Sequence, residues 1–141
     1  MRFMIIIKGT PESEEKAPDP QLMADMGKYN EELIKAGIVL ATDGLHPSSK
    51  GARVKFSGKS ITVVDGPFTE AKELIAGFWI WKLKSLEEAI EWVKRAPCSP
   101  GDEIEIRQVG EMEDFAPILT EDEIQYKIAK RAELPNQTFN K

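Results

Sequence analysis

Residues 78–83 read Phe-Trp-Ile-Trp-Lys-Leu, and this stretch decides the fold. Bulky apolar side chains alternate along it with a period of two, which is typical of a β-strand. The alternation places Phe78 and Ile80 on one face of the strand and Trp79, Trp81 and Leu83 on the other. A strand with large apolar side chains on both faces belongs to a sheet that is covered on both sides.

The segments around this strand predict five more strands and three helices. The strands are expected at 3–7, 38–41, 52–56, 61–64 and 103–107, and residues 9–19 are expected to form a loop. One helix begins at Pro20 with Asp19 as its N-cap, a second at the capping box of Ser85 and Glu88, and a third at the capping box of Thr120 and Glu123. The inner faces predicted for the first two helices are Leu22, Met26, Tyr29 and Leu33, and then Leu86, Ala89, Ile90 and Val93.

The resulting order is strand, helix, strand, hairpin, strand, helix, strand, which predicts an α+β ferredoxin-like sandwich with an inserted β-hairpin. Two helices cover only one face of such a sheet. Because monomers rarely expose a large apolar face, the uncovered face predicts a homodimer packed sheet to sheet. In the alternative, the hairpin and the C-terminal tail fold back over that face. The domain is expected to occupy residues 1–110, followed by a C-terminal extension, 111–141, with a short charged helix.

Composition excludes several classes of protein. A chain of 141 residues is about one domain, and its net charge of −5 argues against non-specific nucleic-acid binding. With one cysteine, Cys98, and one histidine, His46, it can form neither a disulfide framework nor a multi-histidine or cysteine-cluster metal site. Its longest apolar run, Phe3–Ile7, is too short to span a bilayer, and no signal peptide precedes it. We therefore expect a cytoplasmic protein with no metal, organic cofactor, nucleic-acid or membrane partner.

The run Asp65-Gly66-Pro67-Phe68 is the densest candidate motif. Pro67 cannot extend a strand ladder, so the run is expected to form a tight turn. In one interpretation the Asp65 carboxylate accepts hydrogen bonds from the amides of that turn. In the other it points into a cleft at the edge of the sheet, where it acts as acid, base or ligand anchor. Spacing alone does not separate the two.

Other side chains are candidates for the same cleft. His46 is the one imidazole of the chain and a candidate acid or base, and Asp43, three residues earlier, is its candidate partner. Lys72 lies in a cluster of charged residues, and such clusters are usually solvated surface. In the alternative, its charge steers an anionic ligand toward the cleft. The predicted ligand-binding residues also include Tyr29, through its hydroxyl. Three more are expected to line the cleft with apolar side chains, namely Met26, Phe68 and Trp79.

The run from Asp65 to Glu73, Asp-Gly-Pro-Phe-Thr-Glu-Ala-Lys-Glu, leads into Gly77-Phe78-Trp79 and resembles the signature of the DGPF branch of the YCII-related family. Further matches, in the expected order over about residues 1–110, are Met1–Ile7, Ala36–Ile38, Gly44–Ser48, Ser85–Ala89 and Glu103–Arg107.

The resemblance implies a dimeric α/β barrel of ferredoxin-like subunits. Members of the wider family pair a histidine on the first helix with an aspartate near the later turn, and one branch is associated with dehydrochlorination of an aromatic substrate. Asp65 matches the aspartate. The first helix here has no histidine, and the corresponding place falls near Met26, so the dyad is broken. The DGPF branch is discussed alongside extracytoplasmic-function sigma factors.

Two hypotheses of different classes follow. The first is a homodimer that binds a small molecule near the Asp65 turn, and that is a divergent enzyme if Asp65 and His46 transfer protons. The second is a regulatory or protein-interaction module without catalysis, linked to a sigma-factor-associated stress response. A third, a heme or flavin-independent monooxygenase, rests on analogy with related barrel folds alone.

Overall fold

The computed structural model describes residues 1–135. Within them the fold is α+β, as the order of the sequence patterns predicts. The strands are β1 (Arg2–Gly9), β2 (Val39–Gly44), β3 (Ala52–Ser57), β4 (Ser60–Asp65), β5 (Leu74–Lys82) and β6 (Ile104–Gln108). The helices are α1 (Pro11–Glu14), α2 (Pro20–Lys35), α3 (Leu86–Val93), α4 (Met112–Phe115) and α5 (Glu121–Ala132), with short 3₁₀ turns at Ser48–Lys50 and Ala116–Ile118.

Four strands form an antiparallel sheet in the order β2-β5-β1-β6, which is compatible with a ferredoxin-like fold. The register sets Phe3 opposite Trp81 and Ile5 opposite Trp79. The remaining strands, β3 and β4, pair only with each other. They form the hairpin that the sequence predicts between β2 and β5.

One face of the sheet packs against α2 and α3 and carries the core. Trp79 and Trp81 are almost fully buried there, and Tyr29 of α2 meets Trp79 edge to face at 6.0 Å between ring centroids. The opposite face, called the outer face below, carries the half-buried side chains of Met4, Ile6, Phe78 and Ile80. The side chains of β5 are thus divided between the two faces as the alternation predicts.

The first long helix begins where the sequence predicts. The Asp19 side chain accepts a hydrogen bond from the Gln21 N–H at 3.0 Å, and Pro20 opens α2. Tyr29 and Leu33 are buried, and Gly37 ends the helix at a φ of 73°, a left-handed conformation that glycine adopts without strain.

Helix α3 differs from expectation in two respects. Ser85 caps α3 by accepting from the Glu88 N–H at 3.2 Å, but the Glu88 carboxylate accepts from the Lys84 N–H, one residue before the predicted partner. The inner face is also displaced. Ala89 is buried and Trp92 and Val93 pack on the core, whereas the predicted Leu86 and Ile90 are 44% and 37% exposed. The Trp92 ring, with its larger apolar surface, takes the inner position.

Several boundaries differ from expectation, two of them in ways that bear on the site. The predicted loop at 9–19 contains α1, which Thr10 caps by accepting from the Ser13 N–H at 3.1 Å. Strand β5 begins at Leu74, four residues before the predicted start. Leu74 is buried, so the start of the strand is held by packing.

An ion pair ties the C-terminal extension to the sheet. Arg2 is 8% exposed and donates from Nε and Nη2 to the two carboxylate oxygens of Glu111, at 2.6 and 3.0 Å. This hydrogen bond lowers the pKa of Glu111 below its usual range. Beyond it, α5 begins at the predicted capping box of Thr120 and Glu123. The division of the chain after residue 110 stays a prediction.

Candidate functional site

The run from Asp65 to Phe68 packs directly against the loop 45–51. The Gly66 N–H donates to the Gly51 carbonyl at 3.0 Å, and the Phe68 N–H donates to Ser48 Oγ at 3.1 Å. Gly66 lies so close to Ser48 that a Cβ at this position would overlap the Ser48 carbonyl oxygen. Only glycine permits this approach.

Ser48 is the centre of a small hydrogen-bond network. Its N–H donates to Glu14 Oε1 at 2.9 Å and its hydroxyl donates to Glu14 Oε2 at 2.6 Å, while the same hydroxyl oxygen accepts from Phe68. The Ser48 hydroxyl therefore fixes three segments relative to one another, namely α1, the loop 45–51 and the turn after β4. We call this network the Ser48 lock.

The Ser48 lock forms one wall of an open cleft of about 470 Å³. The opposite wall is the beginning of β5, and Leu45, Phe68, Leu74 and Ile75 make the lining mostly apolar. Phe68 and Leu74 are buried at the base, whereas Leu45 and Ile75 are about half exposed at the rim. The volume lies within the roughly 300–1,000 Å³ of ordinary ligand pockets.

Basic and acidic side chains both line this cleft. Arg53 lies over the Phe68 ring, 3.9 Å from its centroid, and its Nη1 is 3.7 Å from Glu70 Oε1. His46 and Lys50 also line the cleft. Of its two carboxylates, Glu14 accepts from the neutral donors of Ser48, and Glu73 lies 3.4 Å from Lys8 Nζ. Lys50 forms no ion pair with a carboxylate of residues 1–135, so an anion at its side of the cleft would meet an unpaired positive charge.

The structure brings two of the predicted site residues, His46 and Phe68, into this cleft. Asp65 is exposed at the end of β4 and does not line it. No residue that the structure describes donates a hydrogen bond to the Asp65 carboxylate, so the turn-capping interpretation is wrong. The backbone amides of Gly66 and Phe68 hold the turn instead. Lys72 lines a neighbouring groove that shares Glu73 with the cleft.

The remaining predicted residues lie elsewhere. Tyr29 and Trp79 belong to the core, where the Tyr29 hydroxyl donates to the Trp92 carbonyl at 2.6 Å and the Trp79 Nε1–H donates to Asn30 at 2.8 Å. Burial raises the pKa of Tyr29 to about 12. Met26 packs against the same core. Asp43 is exposed on β2 opposite Phe78, on the outer face, and forms no hydrogen bond or ion pair with His46.

Residues 1–113 match the YCII-related domain. The chain belongs to the YCII-related family. Over 79 residues it is also 30% identical to an uncharacterised protein of Rhizobium meliloti (strain 1021), an alignment that covers 56% of this chain. The chain spans 64% of that relative's length, which is slightly less than two thirds. The resemblance to the YCII-related family that the sequence suggests is therefore confirmed.

Sequence reasoning about this YCII-related protein missed Glu14, Ser48 and Arg53. Glu14 lay in a segment predicted to be a loop, and nothing local links it to a serine 34 positions later. Arg53 carried a usable signal, since the alternation of β3 separates it from Val54 and directs it to the face opposite the apolar one. That pattern did not show which side chain the guanidinium would meet.

Within residues 1–135 no group of three or more histidine, cysteine, aspartate or glutamate side chains could hold a metal ion. Among the same residues, none of the helices is both long and apolar enough to cross a bilayer.

Proposed function

We propose that this YCII-related protein, as a member of the DGPF branch, is a homodimer that binds a small molecule in the cleft beside the Ser48 lock of each subunit. The observation that carries the proposal is the cleft itself. A wall that hydrogen bonds tie to three segments faces an apolar base, and Lys50, which has no ion pair among residues 1–135, lies beside it. Preorganisation of this kind lowers the entropy that binding costs.

The ligand class follows from the lining. Leu45, Phe68 and Leu74 suit the apolar body of a ligand, and Lys50 and His46 suit an anionic group. Lys50 forms no ion pair with any carboxylate of the described chain, so its charge is available. An aryl carboxylate satisfies both requirements, with its ring on Phe68 and its carboxylate toward Lys50.

Binding of benzoate and phenylacetate, measured by calorimetry, tests this proposal. Lys50→Gln and His46→Asn should each weaken binding about tenfold or more, because a hydrogen bond to a charged group contributes about 1.5–3 kcal/mol. Both side chains are exposed, so the melting temperature should stay near that of the wild type. Lys59→Gln, at the exposed turn of the hairpin, is the matched control and should bind normally. Equal affinities for all four proteins would contradict the proposal.

The proposal covers binding and does not require a reaction. Proton transfer by Asp65 together with His46 is a separate proposal, which Asp65→Asn tests in the same assay. If the Asp65 carboxylate, which does not line the cleft, acts on the bound ligand, this variant binds benzoate more weakly while its melting temperature stays near that of the wild type. Equal affinity of the variant and the wild type would contradict a role for Asp65 and favour a binding role of the cleft alone.

The dimer proposal rests on the outer face and on the family resemblance. Met4, Ile6, Phe78 and Ile80 form a continuous apolar strip across β1 and β5 that two helices cannot cover. Light scattering at micromolar concentration should give twice the chain mass of 15.8 kDa. Ile80→Lys should give a folded monomer, whereas Ile34→Lys, on the exposed side of α2, should remain a dimer. A monomeric wild-type protein would contradict the proposal.

The hairpin favours protein interaction as a second candidate function. Val54, Phe56, Ile61 and Val63 lie on one face of β3 and β4 and are 51–77% exposed. Phe56→Ser separates two uses of this face. A lower dimer affinity would assign the face to a second copy, and an unchanged dimer would leave it free for another protein.

A further inference from the structure

The C-terminal extension contains a second groove, separate from the cleft. Its volume is about 450 Å³, within the roughly 300–1,000 Å³ of ordinary ligand pockets. It lies between α4, the following 3₁₀ turn and α5, and most of it is outside the segment that matches the family domain. Its lining combines four apolar side chains with two cations, namely Met112, Phe115, Ile118 and Leu119 with Lys127 and Arg131.

Apolar surface in this groove remains open to solvent. Ile118 is 80% exposed and Phe115 is 48% exposed, although both line the same groove. Apolar surface that is removed from water contributes favourably to binding in proportion to its area. An aliphatic chain lying along these two side chains would be stabilised in this way.

Two cations stand at the edge of the apolar lining. Lys127 and Arg131 are four residues apart on α5, so their side chains lie on the same face of the helix. Neither forms an ion pair with a carboxylate of residues 1–135, in contrast to Lys130 on the same helix, whose Nζ lies 3.2 Å from Glu133.

The acidic residue of the groove is engaged mainly by Arg2. Glu111 also lines the groove, and both of its carboxylate oxygens accept from Arg2. The hydrogen bond from Arg2 lowers the pKa of Glu111 and the Coulombic attraction of Arg131 lowers it further, so Glu111 stays ionised at neutral pH and partly balances the charge of Arg131. Lys127 does not act on Glu111 in this way, so its charge is left in full for a ligand.

We propose that this groove is a binding site for an aliphatic carboxylate of medium chain length. The carboxylate lies between Lys127 and Arg131, and the chain lies over Phe115 and Ile118. The site is independent of the function proposed for the cleft, with which it shares no lining residue.

Calorimetric titration with decanoate below its micelle concentration tests the site. The double variant Lys127→Gln with Arg131→Gln should weaken binding at least tenfold, and glutamine preserves the helix because its helix propensity is close to that of both residues. Lys130→Gln is the matched control on α5 and should bind as the wild type does. Ile118→Ser should also weaken binding several-fold, and since Ile118 is exposed this variant should fold normally.

Two ligand controls separate charge from apolar contact. Decanol has the aliphatic chain without the carboxylate and should bind at least tenfold more weakly than decanoate. Butyrate has the carboxylate but too short a chain to cover the apolar lining, so it should not bind. Lys50→Gln, in the cleft, should leave decanoate binding unchanged. Absence of decanoate binding, equal binding of decanol, or an equal loss in Lys130→Gln would overturn the proposal.

Discussion

Gly66→Ala is expected to destabilise the protein by about 3–5 kcal/mol, the upper range for a single substitution. The added Cβ would overlap the Ser48 carbonyl oxygen, which belongs to the backbone and cannot rotate away. The turn and the loop 45–51 would have to separate, breaking the hydrogen bonds from Gly66 to Gly51 and from Phe68 to Ser48. Urea denaturation followed by circular dichroism measures the loss.

Gly27→Ala is the matched control for this prediction. Gly27 lies inside α2, and a Cβ there would meet nothing within 4 Å. Because alanine is favoured over glycine in a helix interior, this variant should be more stable than the wild type by about 0.5–1 kcal/mol. If Gly66→Ala were as stable as the wild type, the conclusion that the turn and the loop 45–51 pack this closely would be wrong.

Ser48→Ala is expected to cost about 1–2 kcal/mol and to weaken binding in the cleft. The change leaves the Phe68 N–H without its acceptor and Glu14 Oε2 without its donor. Partly buried polar groups that lose their partners are costly, and the walls that they held become free to move. Thermal denaturation measures the stability, and benzoate affinity measures the effect on the cleft.

Ser49→Ala tests whether the effect belongs to the Ser48 lock. Ser49 is the exposed neighbour of Ser48 in the same 3₁₀ turn, and its side chain takes no part in the network. Its replacement should change the free energy of unfolding by less than about 0.5 kcal/mol. Equal losses at the two serines would mean that the hydroxyl of Ser48 is not what holds the loop.

Local patterns predicted the main elements of the fold. The alternation along β5 groups Trp79 and Trp81 on one face, which the structure shows to be the core face, and the capping residues Asp19 and Thr120 predict the starts of α2 and α5. These features depend on residues close together in sequence. The inner face of α3 was harder, because Ile90 and Trp92 both fit an amphipathic helix and only packing against the sheet decides between them.

The site was predicted less well, for a related reason. The motif containing Gly66 was singled out correctly, but its importance was attributed to the Asp65 carboxylate, which lies outside the cleft. The structural role belongs to the neighbouring glycine and to the backbone amide of Phe68, whose partner Ser48 is 20 positions away. A backbone contact of this kind leaves no mark on side-chain spacing.

Tyr29 and Trp79 are predicted ligand-binding residues that lie in the core instead. Each has a polar atom that a ligand could use, yet each donates its hydrogen bond inside the protein, to Trp92 and Asn30 respectively. Aromatic residues with one polar group are often buried in this way. Composition therefore cannot tell a satisfied core aromatic from a binding platform.

The central claim is that the cleft beside the Ser48 lock binds a small anionic molecule. A ¹H–¹⁵N correlation titration of the labelled protein with benzoate tests it most directly, because each backbone amide reports its own surroundings. We expect the amides of residues 45, 46 and 48–53, together with Phe68 and those of 73–75, to shift in a saturable way. Saturable shifts confined to other parts of the chain, or no shifts at millimolar benzoate, would contradict the claim.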